Sequence, residues 1–291
     1  TGKEVDLDAL PLDDPATYEI FCNGDTVGIF QFESGGMREY LRKLKPACLD
    51  DIIAMNALYR PGPLGSGMVE DFINRKHGTV AVEYFHPVLE PILKETYGVI
   101  VYQEQVMRIA SEMAGFTMGG ADQLRRAMGK KKKEVMDEQK DKFMAGAKEK
   151  GIEPKIADKV FELMAHFAGY GFNKSHSAGY AVLAYQTAWL KAHHPCEFLA
   201  ATLTSEMNNF DKLAVFLEEC RRMKIGILPP DVNESGPVFT VVEGGIRFGL
   251  AAVKNAGRGA VDMIVEERSR KGPYRSLGDF IDRADSRAVN R

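Results

Sequence analysis

Hydrophobic residues along this chain recur mostly every three or four positions, which is the spacing of an amphipathic helix rather than of a strand. In residues 34–44, for example, Met37, Leu41 and Leu44 fall on one helical face. Asp14 and Pro15 provide a favoured cap and first residue for a helix that starts near Ala16. The same pattern predicts helices over residues 97–115, 155–167, 177–193, 197–207 and 211–223, with Asp211 capping the last of them.

Strand signals are fewer and shorter than the helical ones. Residues 27–32 alternate and contain β-forming side chains, so they predict one short strand. Residues 238–248 predict a β-hairpin, because Gly244 and Gly245 can take the positive φ of a tight turn. Two prolines and three glycines exclude helix and central strand from residues 60–67. The predicted fold is mainly α with small β insertions (α+β), in which a multi-helical domain precedes the hairpin and a helix–turn–helix over residues 250–264.

Composition narrows the class of protein. With 45% hydrophobic and 27% charged residues, the chain is globular rather than disordered or collagen-like, and its 291 residues predict two or more compact units. The four cysteines are scattered without a C-x-x-C pair, which favours reduced thiols over a disulfide framework or a zinc site. The sequence shows neither a signal peptide nor an apolar run of about 18 residues. We therefore expect a soluble, cytoplasmic protein.

The most unusual segment is residues 168–180, where polar side chains crowd between glycines and aromatic residues. Its polar members are Asn173, Lys174, Ser175, His176 and Ser177, and its aromatic members are Tyr170, Phe172 and Tyr180. Aromatic faces can stack on a base or ribose, while the polar side chains supply donors for sugar and phosphate oxygens. The alternative is a turn between two helices, with Ser175 or Ser177 capping the second. Local composition leaves both interpretations open.

A basic block lies upstream of this cluster. Six of the ten residues from 124 to 133 are basic and none is acidic, although the net charge of the whole chain is −3. The guanidinium groups of Arg125 and Arg126 match phosphate oxygens in a bidentate way, and the lysines act as point charges. A triphosphate or a nucleic-acid backbone is therefore the expected partner. The alternative is a solvated helix end, where the helix dipole favours cations.

Residues 252–264 resemble a helix-hairpin-helix motif, whose turn directs backbone N–H groups at a DNA phosphate. Asn255 and Gly257 stand where the motif usually has two glycines, and Asn tolerates the left-handed conformation that such a turn needs. A plain αα-hairpin is the alternative. Asp6 and Asp8 could hold Mg²⁺ only with a third carboxylate at a suitable spacing, which the sequence does not show. We assign these two aspartates no metal role.

Five segments stand out in order along the chain: residues 30–34 (FQFES), 59–63 (YRPGP), 102–105 (YQEQ), 124–130 (LRRAMGK) and 171–176 (GFNKSH). Together they resemble the bacterial replicative DNA polymerase III α subunits, the family C DNA polymerases, over essentially the whole chain. The resemblance implies that this chain is the fingers region, which holds the incoming dNTP. It also implies that the catalytic aspartates and their two Mg²⁺ ions belong to a palm domain N-terminal to this chain.

The resemblance assigns roles to individual residues. It implies triphosphate contacts from Arg125, Arg126 and Lys130. It implies a base and sugar pocket formed by Asn173, Lys174, Ser175, His176 and Tyr180. We expect DNA backbone contacts from Lys131, Asn255, Gly257 and Gly259. We also expect His176 to crowd the ribose 2′ position and so to help exclude ribonucleotides.

These assignments predict an organisation and a function. Residues 1–227 are expected to form the fingers region, residues 228–249 a linker and β-hairpin, and residues 250–291 the start of a truncated helix-hairpin-helix module. Since the chain lacks an initial methionine and stops in a helix-compatible run, we expect a polymerase fragment that is inactive alone. Its expected partners are dNTP, primer–template DNA and, through the intact subunit, the sliding clamp, proofreading exonuclease and clamp loader. The alternatives are a non-catalytic DNA-binding module and an unrelated helical scaffold.

Overall fold

A computed structural model describes residues 2, 4–130 and 133–284, except for the side chains of residues 130, 133, 134 and 168. The chain forms two compact units. The larger unit contains Pro11–Thr26 and Phe30–Tyr185, and the smaller one contains the described residues among 1–10, 27–29 and 186–291. Within the described residues the fold is mainly α with one small sheet, as the sequence predicts.

The larger unit is helical in all its regular elements among the described residues, apart from one isolated bridge. Its helices are α1 (Pro15–Cys22), α2 (Gly35–Leu44), α3 (Leu49–Leu58), α4 (Pro61–Gly65), α5 (Met68–Lys76), α6 (Glu90–Leu93), α7 (Gln103–Ala114), α8 (Met118–Lys130), α9 (Lys133–Glu149), α10 (Pro154–Ala168) and the start of α11 (Lys174–His193). Single 3₁₀ turns at Pro87–Leu89 and Lys94–Thr96 flank α6.

Helices α7 to α10 pack around one apolar core. Val106, Ile109 and Met113 lie on the buried face of α7, as the sequence spacing predicts. Gly115 ends that helix in the left-handed conformation, with φ of 69°. Residues 97–102 precede the helix rather than belonging to it, so the predicted start was several residues too early.

The smaller unit contains α12 (Pro195–Ser205), α13 (Phe210–Arg222), α14 (Arg258–Lys271) and α15 (Leu277–Arg283), with a three-stranded sheet. Strands β2 (Thr240–Val242) and β3 (Gly245–Arg247) form the predicted hairpin, and β1 (Ile227–Leu228) joins β3 in parallel. The strand order is β1-β3-β2. Apolar side chains of α12, α13 and this sheet form one core, and those of α14 with Tyr274 form another.

A buried ion pair lies in the smaller unit. Lys191 Nζ donates to Glu219 Oε1 at 2.6 Å and to Val27 O at 2.7 Å, and both side chains are almost fully buried. Burial alone would raise the pKa of the Glu219 carboxyl, but hydrogen bonds from Arg222 and Lys191 hold it below its ordinary value. Removing Glu219 would take away the carboxylate to which the buried Lys191 ammonium group is paired, which is costly.

Two predictions about local structure are wrong. Residues 27–32 form turns rather than a strand, because Gly28 and Gln31 take positive φ and the Thr26 hydroxyl donates to Phe32 O at 2.6 Å. Pro61 begins the five-residue helix α4 in a segment from which helix was excluded. Prolines are tolerated there because the first N–H groups of a helix have no partner within it.

Helix caps were also only partly predicted. Asp14 caps α1 as predicted, and Ser34, for which no capping role was predicted, caps α2; both do so through side-chain bonds to backbone N–H groups. Helix α13, however, begins at Phe210 and is capped by Asn209, whose Oδ1 accepts from Lys212 N at 3.2 Å. Asp211 therefore lies in the first turn rather than at the cap.

Gly146 provides a test of the packing of α7 against α9. A Cβ at this position would overlap the Ala114 carbonyl, which is backbone and cannot turn aside. We expect Gly146→Ala to lower the free energy of unfolding by about 1–3 kcal/mol, as overpacking does. Gly119→Ala in α8 is the control, since its added Cβ meets no atom within 4 Å and alanine favours helix. Thermal unfolding of both variants measures the difference, and equal midpoints would contradict this account.

Candidate functional site

The loop between α10 and α11 pairs with the segment that leads into α7. Phe172 N donates to Val101 O at 3.0 Å, and Gln103 N donates to Phe172 O at 2.9 Å. The Gln103 side chain adds a bond to Gly171 O at 3.1 Å. Phe172 is therefore held by main-chain pairing, which is independent of its side chain.

Buried Gln105 fixes the other side of this pairing. Its Oε1 accepts from the backbone N of Val101 and of Tyr102, each at 2.9 Å. Its Nε2 donates to Thr96 Oγ1 at 2.8 Å, so the amide is satisfied at both ends. The segment 102–105, which carries part of the family resemblance, thus also has a structural role.

Helix α11 begins at Lys174, three residues before the predicted start. Asn173 caps it, with Oδ1 accepting from His176 N at 2.7 Å, so neither Ser175 nor Ser177 is the cap. The Asn173 amide donates to Glu104 Oε1 at 2.9 Å, and Lys174 N donates to both Glu104 oxygens at 3.2 and 3.1 Å. Buried Ser177 instead donates to Ile53 O at 2.7 Å.

Lys174 is also held by the protein itself. Its Nζ lies 2.6 Å from Glu95 Oε2 and 5.5 Å from the centre of the Tyr102 ring. Together with the contacts of Asn173, this arrangement uses the polar groups of two predicted pocket residues to build the start of α11. Ser175 is exposed in the first turn of the same helix.

The aromatic side chains of this region form a row. Ring centres are 5.6 Å apart between Phe172 and His176, 4.5 Å between His176 and Tyr180, and 5.2 Å between Tyr180 and Phe30. The spacing of His176 and Tyr180 is one helical turn, which places both on the same face of α11. The Arg60 guanidinium lies 4.5 Å from the centre of the Phe172 ring and extends the row with a cation.

A cavity of about 220 Å³ lies beside this row. It is lined by side chains from four separate parts of the larger unit, namely Gln31, Met37, Asn56, Tyr59, Arg60, Phe172, His176 and Tyr180. Five of these residues, the ones from α2, α3 and the segments beside them, were not predicted as site residues. Three of the five resemblance segments, residues 30–34, 59–63 and 171–176, contribute lining residues, and residues 102–105 pair with the last of these through Phe172.

Arg60 is the cation of this cavity. Its Nε donates to Ala57 O at 2.7 Å and its NH2 group donates to Tyr170 O at 2.6 Å. Burial lowers the pKa of the guanidinium from its ordinary value, but an arginine still carries its charge near neutrality. The ring of Tyr170 in turn packs on Gly62, where a Cβ would lie only 2.5 Å from a ring carbon.

The two arginines of the basic block share one carboxylate on α8. Arg125 Nε and NH2 donate to Asp122 Oδ1 at 3.0 and 2.8 Å, and Arg126 Nε lies 2.8 Å from Oδ2. The hydrogen bond from Arg125 holds the pKa of the Asp122 carboxyl below its ordinary value. The Arg125 side chain is 21% exposed and that of Arg126 is 66% exposed. The side chain of Lys130 and all of Lys131 lie outside the described residues.

The helix-hairpin-helix segment differs from its prediction in the first helix. Leu250–Ala252 form only a 3₁₀ turn before α14 begins at Arg258. Asn255 takes the left-handed conformation, with φ of 69°, as the turn requires. Gly257 has φ of −68°, and its position and that of Gly259 would admit a Cβ without close contact. Both glycines are exposed at the N-terminus of α14.

Asp6 and Asp8 take part in local backbone bonding near the start of the chain. Asp6 Oδ1 accepts from Asp8 N at 3.0 Å and caps the 3₁₀ turn Leu7–Ala9. Among the residues that the structure describes, no three His, Cys, Asp or Glu side chains lie together as metal ligands would. In the same residues, no helix has both the length and the apolarity needed to span a membrane.

Comparison with known proteins places the chain in a family. Residues 1–151 match the bacterial DNA polymerase III alpha subunit finger domain, which is more than half of the chain. The chain belongs to this family. Residues 224–291 match a helix-hairpin-helix motif. The chain is therefore a finger region of the DNA polymerase III alpha subunit family followed by that motif.

Individual relatives agree with the family match. The chain is 54% identical to a DNA polymerase III subunit alpha of Pseudomonas aeruginosa over 295 aligned residues, which cover 99% of the chain. It is 51% identical to that of Thermus aquaticus and 48% identical to that of Escherichia coli, over 100% and 99% of the chain. The alignments cover only 25%, 24% and 25% of these relatives, so the chain spans about a quarter of their length.

Glu104 positions the start of α11 in this finger region, and its removal tests that role. Glu104→Ala removes the acceptor for Asn173 Nδ2 and Lys174 N, so the first turn of α11 should open more easily. We expect amide exchange in residues 173–177 to become roughly tenfold faster, which corresponds to about 1.4 kcal/mol. Glu112→Ala on the same helix is the control, and hydrogen exchange is the measurement. Equal exchange rates in the two variants would exclude this role.

Proposed function

We propose that this chain binds the incoming dNTP and positions the nascent base pair for a template-directed DNA polymerase. The observation that carries the proposal is the cavity beside the row of Phe172, His176, Tyr180 and Phe30, which has a cation at one end. Aromatic faces and a cation suit a flat base, its sugar and adjoining phosphate oxygens. Membership of the finger-domain family supports the same conclusion.

The row of rings would form the base and sugar side of the site. His176 and Tyr180 project from one face of α11, and both line the cavity. In this proposal His176 crowds the ribose 2′ position and Tyr180 supports the His176 ring. Asn173 and Lys174 act through Glu104 and Glu95, fixing the helix from which these rings project.

Arg125 and Arg126 would form the triphosphate side. Both are long, planar cations on α8, and a triphosphate offers more acceptor oxygens than the single Asp122 carboxylate that they share. Positively charged guanidinium groups next to a leaving pyrophosphate stabilise the transition state of nucleotidyl transfer. We extend the triphosphate role to Lys130, on the strength of the family resemblance alone.

The remaining chemistry would come from the longer protein. Two Mg²⁺ ions held by a palm domain would activate the primer 3′-OH, and no described group here provides their ligands. The isolated chain should therefore be inactive. We propose that the chain divides into a fingers region (residues 1–227), a linker with the β-hairpin (228–249) and the start of a helix-hairpin-helix module (250–291). We also propose that the DNA backbone is contacted by Lys131, Asn255, Gly257 and Gly259. Sliding clamp, exonuclease and clamp loader would be partners of the intact subunit.

Substitution of the arginines tests the triphosphate side. In the full-length polymerase, Arg125→Ala or Arg126→Ala should lower kcat/KM for dNTP by about 10- to 100-fold, through a higher KM and a lower kcat, because each removes a charged donor that binds the triphosphate and stabilises the transition state. Arg108→Ala, an exposed arginine on α7, is the control. Steady-state kinetics would show the difference. Unchanged kinetics in both variants, with salt-sensitive duplex binding retained, would favour the non-catalytic DNA-binding module instead.

Replacement of His176 tests sugar selection. His176→Ala in the full-length polymerase should increase ribonucleotide incorporation relative to deoxynucleotide incorporation, because the ring no longer crowds the 2′ position. A change of roughly tenfold is expected for the loss of one steric contact. Single-nucleotide incorporation with matched dNTP and rNTP measures the ratio, with His166→Ala in α10 as the control. An unaltered ratio in His176→Ala would refute the assignment.

A further inference from the structure

A second cavity lies in the larger unit and shares none of the residues that line the first. Its volume is about 420 Å³, which is in the range of small-molecule sites. Its floor is apolar, since Leu89, Leu93 and Val99 are almost fully buried there. Tyr84 and Phe85 form an aromatic wall beside this floor. The cavity can therefore surround an apolar group of moderate size.

Arg75 lines the same cavity and has an unsatisfied donor. Its Nε is buried and has no hydrogen-bond partner among the described residues. Lys76, the next residue on α5, has the acceptors that Arg75 Nε lacks, because its Nζ lies 2.9 Å from Lys45 O and 3.4 Å from Asp51 Oδ2. A buried charged donor without an acceptor is costly. A ligand with a carboxylate would supply the missing acceptor.

Two carboxylates, Asp71 and Glu83, also line the cavity, and both are exposed. No ion pair within 4 Å joins either of them to Arg75 among the described residues. Asp71 is one helical turn before Arg75 on α5, so the two side chains are neighbours on one face. The cavity therefore combines a partly buried cation with anions at its exposed edge. A simple organic anion would meet attraction and repulsion together, whereas a zwitterion would meet both charges favourably.

We propose that this cavity binds a free α-amino acid with an aromatic or large apolar side chain. Its carboxylate would accept from Arg75, its ammonium group would face Asp71 and Glu83, and its side chain would lie on the Leu89, Leu93 and Val99 floor. The adjacency of the two charges in an α-amino acid matches the adjacency of Asp71 and Arg75. This site is independent of the dNTP site, since the two cavities have no residue in common.

Three ligands of one skeleton test the proposal on the full-length polymerase. L-phenylalanine carries both charges, 3-phenylpropionate only the carboxylate, and phenethylamine only the ammonium group. Calorimetric titration up to about 10 mM covers affinities down to the millimolar range. We expect L-phenylalanine to bind at least tenfold more tightly than either analogue. Failure of L-phenylalanine to bind, or equal affinity for 3-phenylpropionate, would overturn the proposal.

Variants of the cavity residues then test which side chain binds the carboxylate and which the ammonium group of the ligand. Arg75→Met should weaken L-phenylalanine at least tenfold, and Asp71→Asn should remove its advantage over 3-phenylpropionate. Ala81→Trp fills the exposed edge of the cavity without removing a buried contact, so it should abolish binding while dNTP kinetics stay unchanged. It also covers the case in which Arg75→Met fails to fold, as judged by circular dichroism. Binding that survives in Ala81→Trp would place the ligand elsewhere and refute the site.

Discussion

The main-chain pairing of Phe172 with Val101 and Gln103 is the constraint on which the candidate dNTP site depends. These two bonds join segments about seventy residues apart, and they set where the loop before α11 must end. Asn173 and Glu104 then set the direction in which α11 starts. His176 and Tyr180 follow on that helix. The backbone at the start of α11 therefore determines where these two side chains lie, more than the contacts between their rings do. Supporting contacts of this sort hold the side chains of a binding site in a fixed geometry.

The candidate site also requires side chains from distant parts of the sequence to line the same cavity. Tyr59 and Arg60 follow α3, Gln31 lies in the turn before α2, and Phe172 precedes α11, yet all line one cavity. Arg60 joins these parts most directly, since it bonds to Ala57 O and Tyr170 O and covers the Phe172 ring. A change at Arg60 would therefore disturb both the charge of the cavity and the loop that forms its wall.

The sequence predicts some parts of this arrangement because the interactions that form them join residues close together in the chain. The faces of α2 and α7, the Asp14 cap and the β-hairpin follow from spacing and turn chemistry within a few residues. The turn at residues 27–32 does not, since Gln31 adopts a positive φ that its side chain does not favour. The roles of Arg60 and Glu104 are equally non-local, because their partners lie 110 and about 70 residues away. Arg60 and Glu104 both lie in segments that carry the family resemblance, but their structural roles are seen only in the folded protein.

The Asp122 bridge on α8 has a consequence for the thermodynamics of ligand binding. Two adjacent arginines without a shared partner would repel each other and sample many rotamers, and a ligand would have to suppress both effects. Asp122 holds both guanidinium groups in one arrangement in this structure, so a triphosphate bound there as proposed would have less of each effect to suppress. The same carboxylate also neutralises part of the charge that attracts an anion. In the proposed triphosphate site, Asp122 would therefore lower the electrostatic attraction for the ligand and also reduce the conformational entropy lost on binding.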